Sequence, residues 1–101
     1  MNNTHRQQLI DTSWALHSDV ENAYLAHPAS KGADDWQEKQ RLLLADMAIH
    51  LLQTALKPGE LPLDKLQNNL HAILTISDQF LPQAGLKKAT EGIYQSSGDN
   101  A

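Results

Sequence analysis

The sequence predicts an all-α fold: a small antiparallel helical bundle of three long helices plus a short C-terminal helix. Three observations point there. Apolar residues recur at helical spacing through four segments, short Pro- or Gly-bearing breaks separate them, and no run alternates apolar and polar residues between turn signals as a strand would. Short helix–helix connections make neighbouring helices antiparallel.

The first helix is expected from about Thr4 to Ala26, with Thr4 and Gln7 forming a capping box. Leu9, Ser13, Leu16, Val20 and Tyr24 fall on one face, with Ile10 and Trp14 on its shoulder. His27-Pro28-Ala29-Ser30-Lys31-Gly32 breaks the chain, because Pro28 disfavours helical geometry at the residue before it. A second helix is expected from near Asp35, capped by Asp35 and Glu38, through Leu56, where Lys57-Pro58-Gly59 stops it. Its second half is apolar on more than one face, from Leu42 to Leu56, which marks it as the buried, central helix.

Pro62 suits the first position of a third helix, where its missing N–H is no loss. Leu63, Leu66, Leu70, Ile73 and Leu74 continue its stripe to Phe80 or Leu81, and Leu81-Pro82 ends it. The last helix spans about Gln83 to Gln95. Residues 1–95 therefore read as one helical domain and 96–101 as a disordered tail. No internal repeat and no sustained heptad is visible.

Composition narrows function by exclusion. At 101 residues the chain has room for one modest core, and 41% hydrophobic with 20% charged residues is ordinary for a globular domain. It has no cysteine, so disulfides, thiolate zinc sites and a cysteine nucleophile are all excluded. No apolar segment follows Met1 to Arg6 as in a secretory signal, and Leu42 to Leu52, interrupted by Asp46 and His50, is too short to span a bilayer. A cytoplasmic protein without membrane contact is expected.

The net charge is −4 and the eight basic residues are scattered, with only Lys87-Lys88 adjacent in sequence, so nucleic-acid binding is not expected. A helix-turn-helix can be drawn around Leu81-Pro82, but Gly85 to Thr90 would be a short and weakly basic recognition helix.

Five histidines raise metal and phosphotransfer chemistry. His17 with Glu21, and Asp46 with His50, are spaced i,i+4, so each pair shares a helix face and can present two ligands. The Glu-x-x-His motif of di-metal bundles is absent, so a surface or satisfied polar pair is the expectation for both. Asp46 and His50 lie in the most apolar helix, and the simplest reading puts them on its narrow solvent-facing strip, with an interfacial contact as the alternative. His27 and Lys31-Gly32 have the wrong spacing for a phosphotransfer motif, and Pro28 interrupts it. No Walker loop, dinucleotide fingerprint, H-E-x-x-H or nucleophile elbow occurs, and Asp34-Asp35 reads as a cap. No catalytic residue, cofactor or metal is expected, and the chain reads as a non-enzyme.

What remains is protein binding. Trp14 and Trp36 lie on or beside apolar stripes and are expected in the core, with interface anchoring as the alternative. Leu43, Met47 and Leu51, with His50, Trp14 and Trp36, are the candidate contact residues if neighbouring helices leave them uncovered. The expected function is an adaptor, chaperone or inhibitor that binds a larger protein or a second copy of itself, in a bacterium or phage. The last sixty residues, with a long apolar helix, the Gly-centred loop Pro58-Gly59-Glu60, an amphipathic helix and a short last helix, resemble the small bacterial biofilm-development and two-component connector proteins. That resemblance implies, as an alternative, a dimeric regulatory protein, with DNA association as one form of it.

Overall fold

The computed structural model describes residues 1–27 and 35–98. They form four helices and no strand: α1 (Asn3–Ala26), α2 (Trp36–Leu56), α3 (Leu63–Ser77) and α4 (Leu86–Gly98). Among the described residues α1 packs on α2, α2 on α3 and α3 on α4, and no other helix pair touches. α2 is therefore central, as its apolar surplus requires.

The first two pairings are antiparallel. Arg6 near the start of α1 donates from Nη1 to the Leu56 carbonyl at the end of α2 (2.9 Å), while Lys39 at the start of α2 sits over the ring of Tyr24, 4.9 Å from its centroid. The guanidinium satisfies an orphan carbonyl at the negative end of α2, where a cation is favoured. Between α2 and α3, Gln79 Nε2 donates to Gln40 Oε1 (3.0 Å), and Thr54 Oγ1 donates to Asn69 Oδ1. On α4, Tyr94 donates its hydroxyl proton to Asn68 Oδ1 (2.7 Å), and Gln67 Nε2 donates to the Ile93 carbonyl.

Because only consecutive helices touch, the bundle lies in one layer, 44 × 36 × 16 Å. One helix with its side chains is about 10–12 Å across. The radius of gyration, 15.8 Å, exceeds the roughly 13 Å of a compact chain of this length. The core is correspondingly thin. Leu56 and Ile76 are its buried apolar side chains, joined by buried Ser13, Gln40, Thr54 and Thr90.

Several local expectations need correction. α1 is capped by Asn2, whose Oδ1 accepts from His5 N (2.7 Å), so the start lies two residues earlier than a Thr4 cap would place it, and Gln7 turns to Asp11 instead. Asp35 precedes α2 without a side-chain capping bond, and Glu38 pairs with Arg41 (3.1 Å). Pro62 is the residue before α3 and not its first member. α3 stops at Ser77, short of Leu81, because Phe80 N and Leu81 N both turn back to the Ser77 carbonyl. α4 begins at Leu86 because Gly85 has φ +71°, a left-handed conformation that a right-handed helix cannot contain. Ser96, Ser97 and Gly98 continue α4, so the expected tail is shorter at its start. The break at Pro28 to Gly32, and Asp34, lie outside the described residues.

The inward face of α1 also differs from the expected stripe. Arg6, Ile10, Ser13, His17, Val20 and Tyr24, in steps of four and three, are the buried or half-buried residues, with Leu9 beside them. Such 3–4 spacing is the seam of coiled-coil-like packing. Polar Arg6, Ser13 and His17 occupy it, which is why no heptad shows in the hydrophobic pattern. Leu16 and Trp14 are exposed instead.

Candidate functional site

Two neighbouring features bring functional groups together, both centred on His50. The first is an open groove of about 550 Å³ over α2. Ile10 and Trp14 of α1 form one wall, His50, Gln53 and Thr54 of α2 the floor, and Asn68 and Asn69 of α3 the other wall. Lys57, Pro58 and Lys65 close it where α2 passes into α3.

Trp14 is 54% exposed, so it is not the core residue its neighbours on the stripe suggested. It rests edge-on against His17, ring centroids 5.5 Å apart, which holds the indole beside the groove. The Nε2 of Gln53 is buried in the floor without a hydrogen-bond partner, a donor awaiting an acceptor. Lys57 and Lys65 put two cations side by side. The Lys57 pKa is pushed below the usual lysine value, first by its side-chain hydrogen bond to Lys65 and then by that lysine's charge, with Asp64 pulling the other way. Lys57 and Lys65 are exposed basic residues at this end of the groove, with the Asp64 carboxylate beside them.

The second feature is the seam between α1 and α2 just above the groove. The two acid–histidine pairs visible in the sequence meet here. His17 Nε2 lies 3.2 Å from Asp46 Oδ1 and 3.4 Å from Glu21 Oε2, and His50 Nε2 lies 3.4 Å from Asp46 Oδ2. The two imidazoles pack edge to face, 4.7 Å between centroids. Asp46 is turned to α1 with its side chain 13% exposed, which corrects its expected place on a solvent strip. Antiparallel pairing at 3–4 spacing puts position 17 opposite positions 46 and 50, and no single-helix pattern carries that information.

No protein-family model, curated protein or solved structure matches this chain.

The remaining contact candidates are divided. Trp14 and His50 line the groove, while Leu43, Met47, Leu51 and Trp36 are half-buried along the helix seams and do not form one exposed patch. The uncovered strip of α2 is instead Arg41, Ala45, Ala48, Leu52 and Ala55, again at steps of four and three. Gln53, Lys57, Lys65, Asn68 and Asn69 were not singled out by sequence pattern, because isolated polar residues near a helix end carry no signal until the groove between helices exists. Among the described residues no helix is long and apolar enough to cross a membrane.

Proposed function

We propose that this chain is a non-enzymatic protein-interaction domain whose groove over α2 takes an apolar, acid-bearing helical segment of another protein. The observation that carries the reading is Trp14, a large aromatic side chain left half in water beside Ile10 at the wall of a groove floored by His50, Gln53 and Thr54. Exposed aromatics of this kind are the usual anchors of protein interfaces. Lys57 and Lys65 select for acidic residues on the incoming segment, and Gln53 Nε2 supplies a donor for a backbone or side-chain oxygen.

A Trp36→Phe background leaves Trp14 as the only tryptophan, so its emission reports the groove. Titration with a leucine-rich helical peptide bearing glutamates is expected to shift that emission to the blue, while the same peptide bearing lysines binds more weakly. Trp14→Ala should weaken binding at least about tenfold, the scale of a central aromatic anchor. Raising salt should narrow the preference for the acidic peptide as screening shortens. An unmoved Trp14 spectrum, or equal binding of both peptides, would remove this assignment of the groove.

A second reading is self-association, and the surface area favours it. The chain exposes 7005 Å², about 1,300 Å² more than a compact monomer of 11.2 kDa would show. A standard interface removes about 800 Å² from each partner. The bare strip of Ala45, Ala48, Leu52 and Ala55 lets a second helix approach closely and gives the surplus a place to be covered. Light scattering after size exclusion, over a range of concentrations, should show a dimer that Leu52→Glu dissociates. A monomer at every concentration would exclude this reading and leave the groove as the place where the surplus is covered.

A further inference from the structure

We infer that His17, Asp46 and His50, completed by Glu21, form a binding site for a divalent transition-metal ion of the zinc class at the α1–α2 seam. The two imidazoles, Asp46 and Glu21 converge from two helices in a mixed nitrogen and oxygen set. Candidate ligand atoms of His17, Asp46 and His50 all lie within 4.8 Å of one another. In a tetrahedral zinc site with bonds of about 2.0–2.1 Å, neighbouring ligand atoms are roughly 3.3 Å apart. The observed separations are close to that edge: His17 Nε2 lies 3.2 Å from Asp46 Oδ1 and 3.4 Å from Glu21 Oε2, and His50 Nε2 lies 3.4 Å from the other Asp46 oxygen, Oδ2. Bringing ligand atoms that lie within 4.8 Å of one another onto one ion asks for a closure of at most about 1.5 Å, within reach of side-chain rotation.

The chemistry of the donors selects the ion. Two imidazoles suit zinc, nickel, copper or iron and discriminate against calcium and magnesium, which prefer all-oxygen sets. Two carboxylates neutralise a dication. A second observation points the same way. Asp46 Oδ1 is buried and has no hydrogen-bond partner, although His17 Nε2 is 3.2 Å away. A buried carboxylate oxygen left unsatisfied is costly, and a cation between it and the imidazole would satisfy both. Trp14 against His17 shields one side of the cluster from water and limits the rotamers of the ring.

The metal would act as a clip between α1 and α2. His17 and Asp46 join the two helices near the middle of their seam, alongside the half-buried Ile10 and Val20.

Zinc titrated calorimetrically into the metal-stripped chain should bind at one ion per chain. His17→Gln and His50→Gln should each weaken binding at least about tenfold, the least that loss even of a residue supporting a ligand costs. His71→Gln, on the far side of α3 against Tyr94, should leave it unchanged. His50 is 36% exposed at its side chain, so its variant tests the site without removing a buried group. Cobalt(II) in the wild-type chain should give the intense visible absorption of a four-coordinate complex, lost in both ligand variants. Zinc should raise the melting temperature of the wild type and not of the variants. Absence of stoichiometric zinc binding, or affinity unchanged by His17→Gln and His50→Gln, would overturn the site. Equal loss with His5→Gln or His71→Gln would show adventitious binding to surface histidines and overturn it equally.

Discussion

Replacing Ile76 by alanine is expected to lower the unfolding free energy by about 2–4 kcal/mol, the range for removing a buried aliphatic side chain and leaving a cavity. Ile76 is 8% exposed and Leu56 9%, and these two are the buried apolar residues of the described chain. A domain of this length has roughly 5–15 kcal/mol in total, and a one-layer bundle belongs at the low end. A single truncation therefore removes a large share of the stability and should move the melting temperature by about 10–25 °C. Leu56→Ala should behave alike, because Leu56 is the other buried apolar side chain; its carbonyl bond to Arg6 is kept by alanine. Leu63, 65% exposed, is the internal control, and Leu63→Ala should cost no more than about 0.5 kcal/mol. Urea unfolding of the three variants checks the ranking. If Leu63→Ala proved as costly as Ile76→Ala, the apolar surface visible in one chain would be buried in an assembly, which favours self-association.

The second large effect is expected from Ser13→Leu. Ser13 is 1% exposed and sits in the middle of the α1 seam, between Ile10 and His17. A small residue there lets α1 approach α2 closely enough for His17 to reach Asp46. Leucine would add two side-chain heavy atoms to a closed contact, push the helices apart and cost about 1–3 kcal/mol or more, as overpacking does. The alanine variant separates volume from polarity. Ser13 Oγ donates to the carbonyl of Ile10 in its own helix (2.6 Å), so no tertiary hydrogen bond is lost in Ser13→Ala, and the change should stay within about 1 kcal/mol. Denaturant midpoints for both variants decide it. A tolerated leucine would mean that α1 and α2 are less closely packed than the His17–Asp46 contact requires, and zinc binding should then survive Ser13→Leu. Loss of stability and of zinc binding together would tie the helix spacing to the ligand geometry.

The helices themselves were legible in the residues, because their signals are local. Periodic apolar residues, Pro58-Gly59 after α2 and Pro62 before α3 act through the backbone of their own segment. The centrality of α2 was legible for the same reason, since a helix apolar nearly all round must be covered on more than one side. The errors lie at the ends of elements and in side-chain capping. Thr4 with Gln7 and Asp35 with Glu38 match a capping pattern, but Asn2, Asp11, His27 and Arg41 offered competing partners of similar strength. Gly85 set the start of α4 through a backbone angle that sequence pattern does not reveal.

The site was legible in halves. His17 with Glu21, and Asp46 with His50, were each visible as pairs one helical turn apart, because that neighbourhood is intrahelical. Their meeting, the exposure of Trp14 and the groove between α1 and α3 depend on how the helices are paired and rotated. That is settled by the fit of facing surfaces over many residues, including polar Arg6 and His17, which lie off the apolar stripe that the pattern shows. Helix identity follows from energies within a few residues of chain, whereas the layer they form, and the surfaces it leaves open, follow from contacts between residues dozens of positions apart.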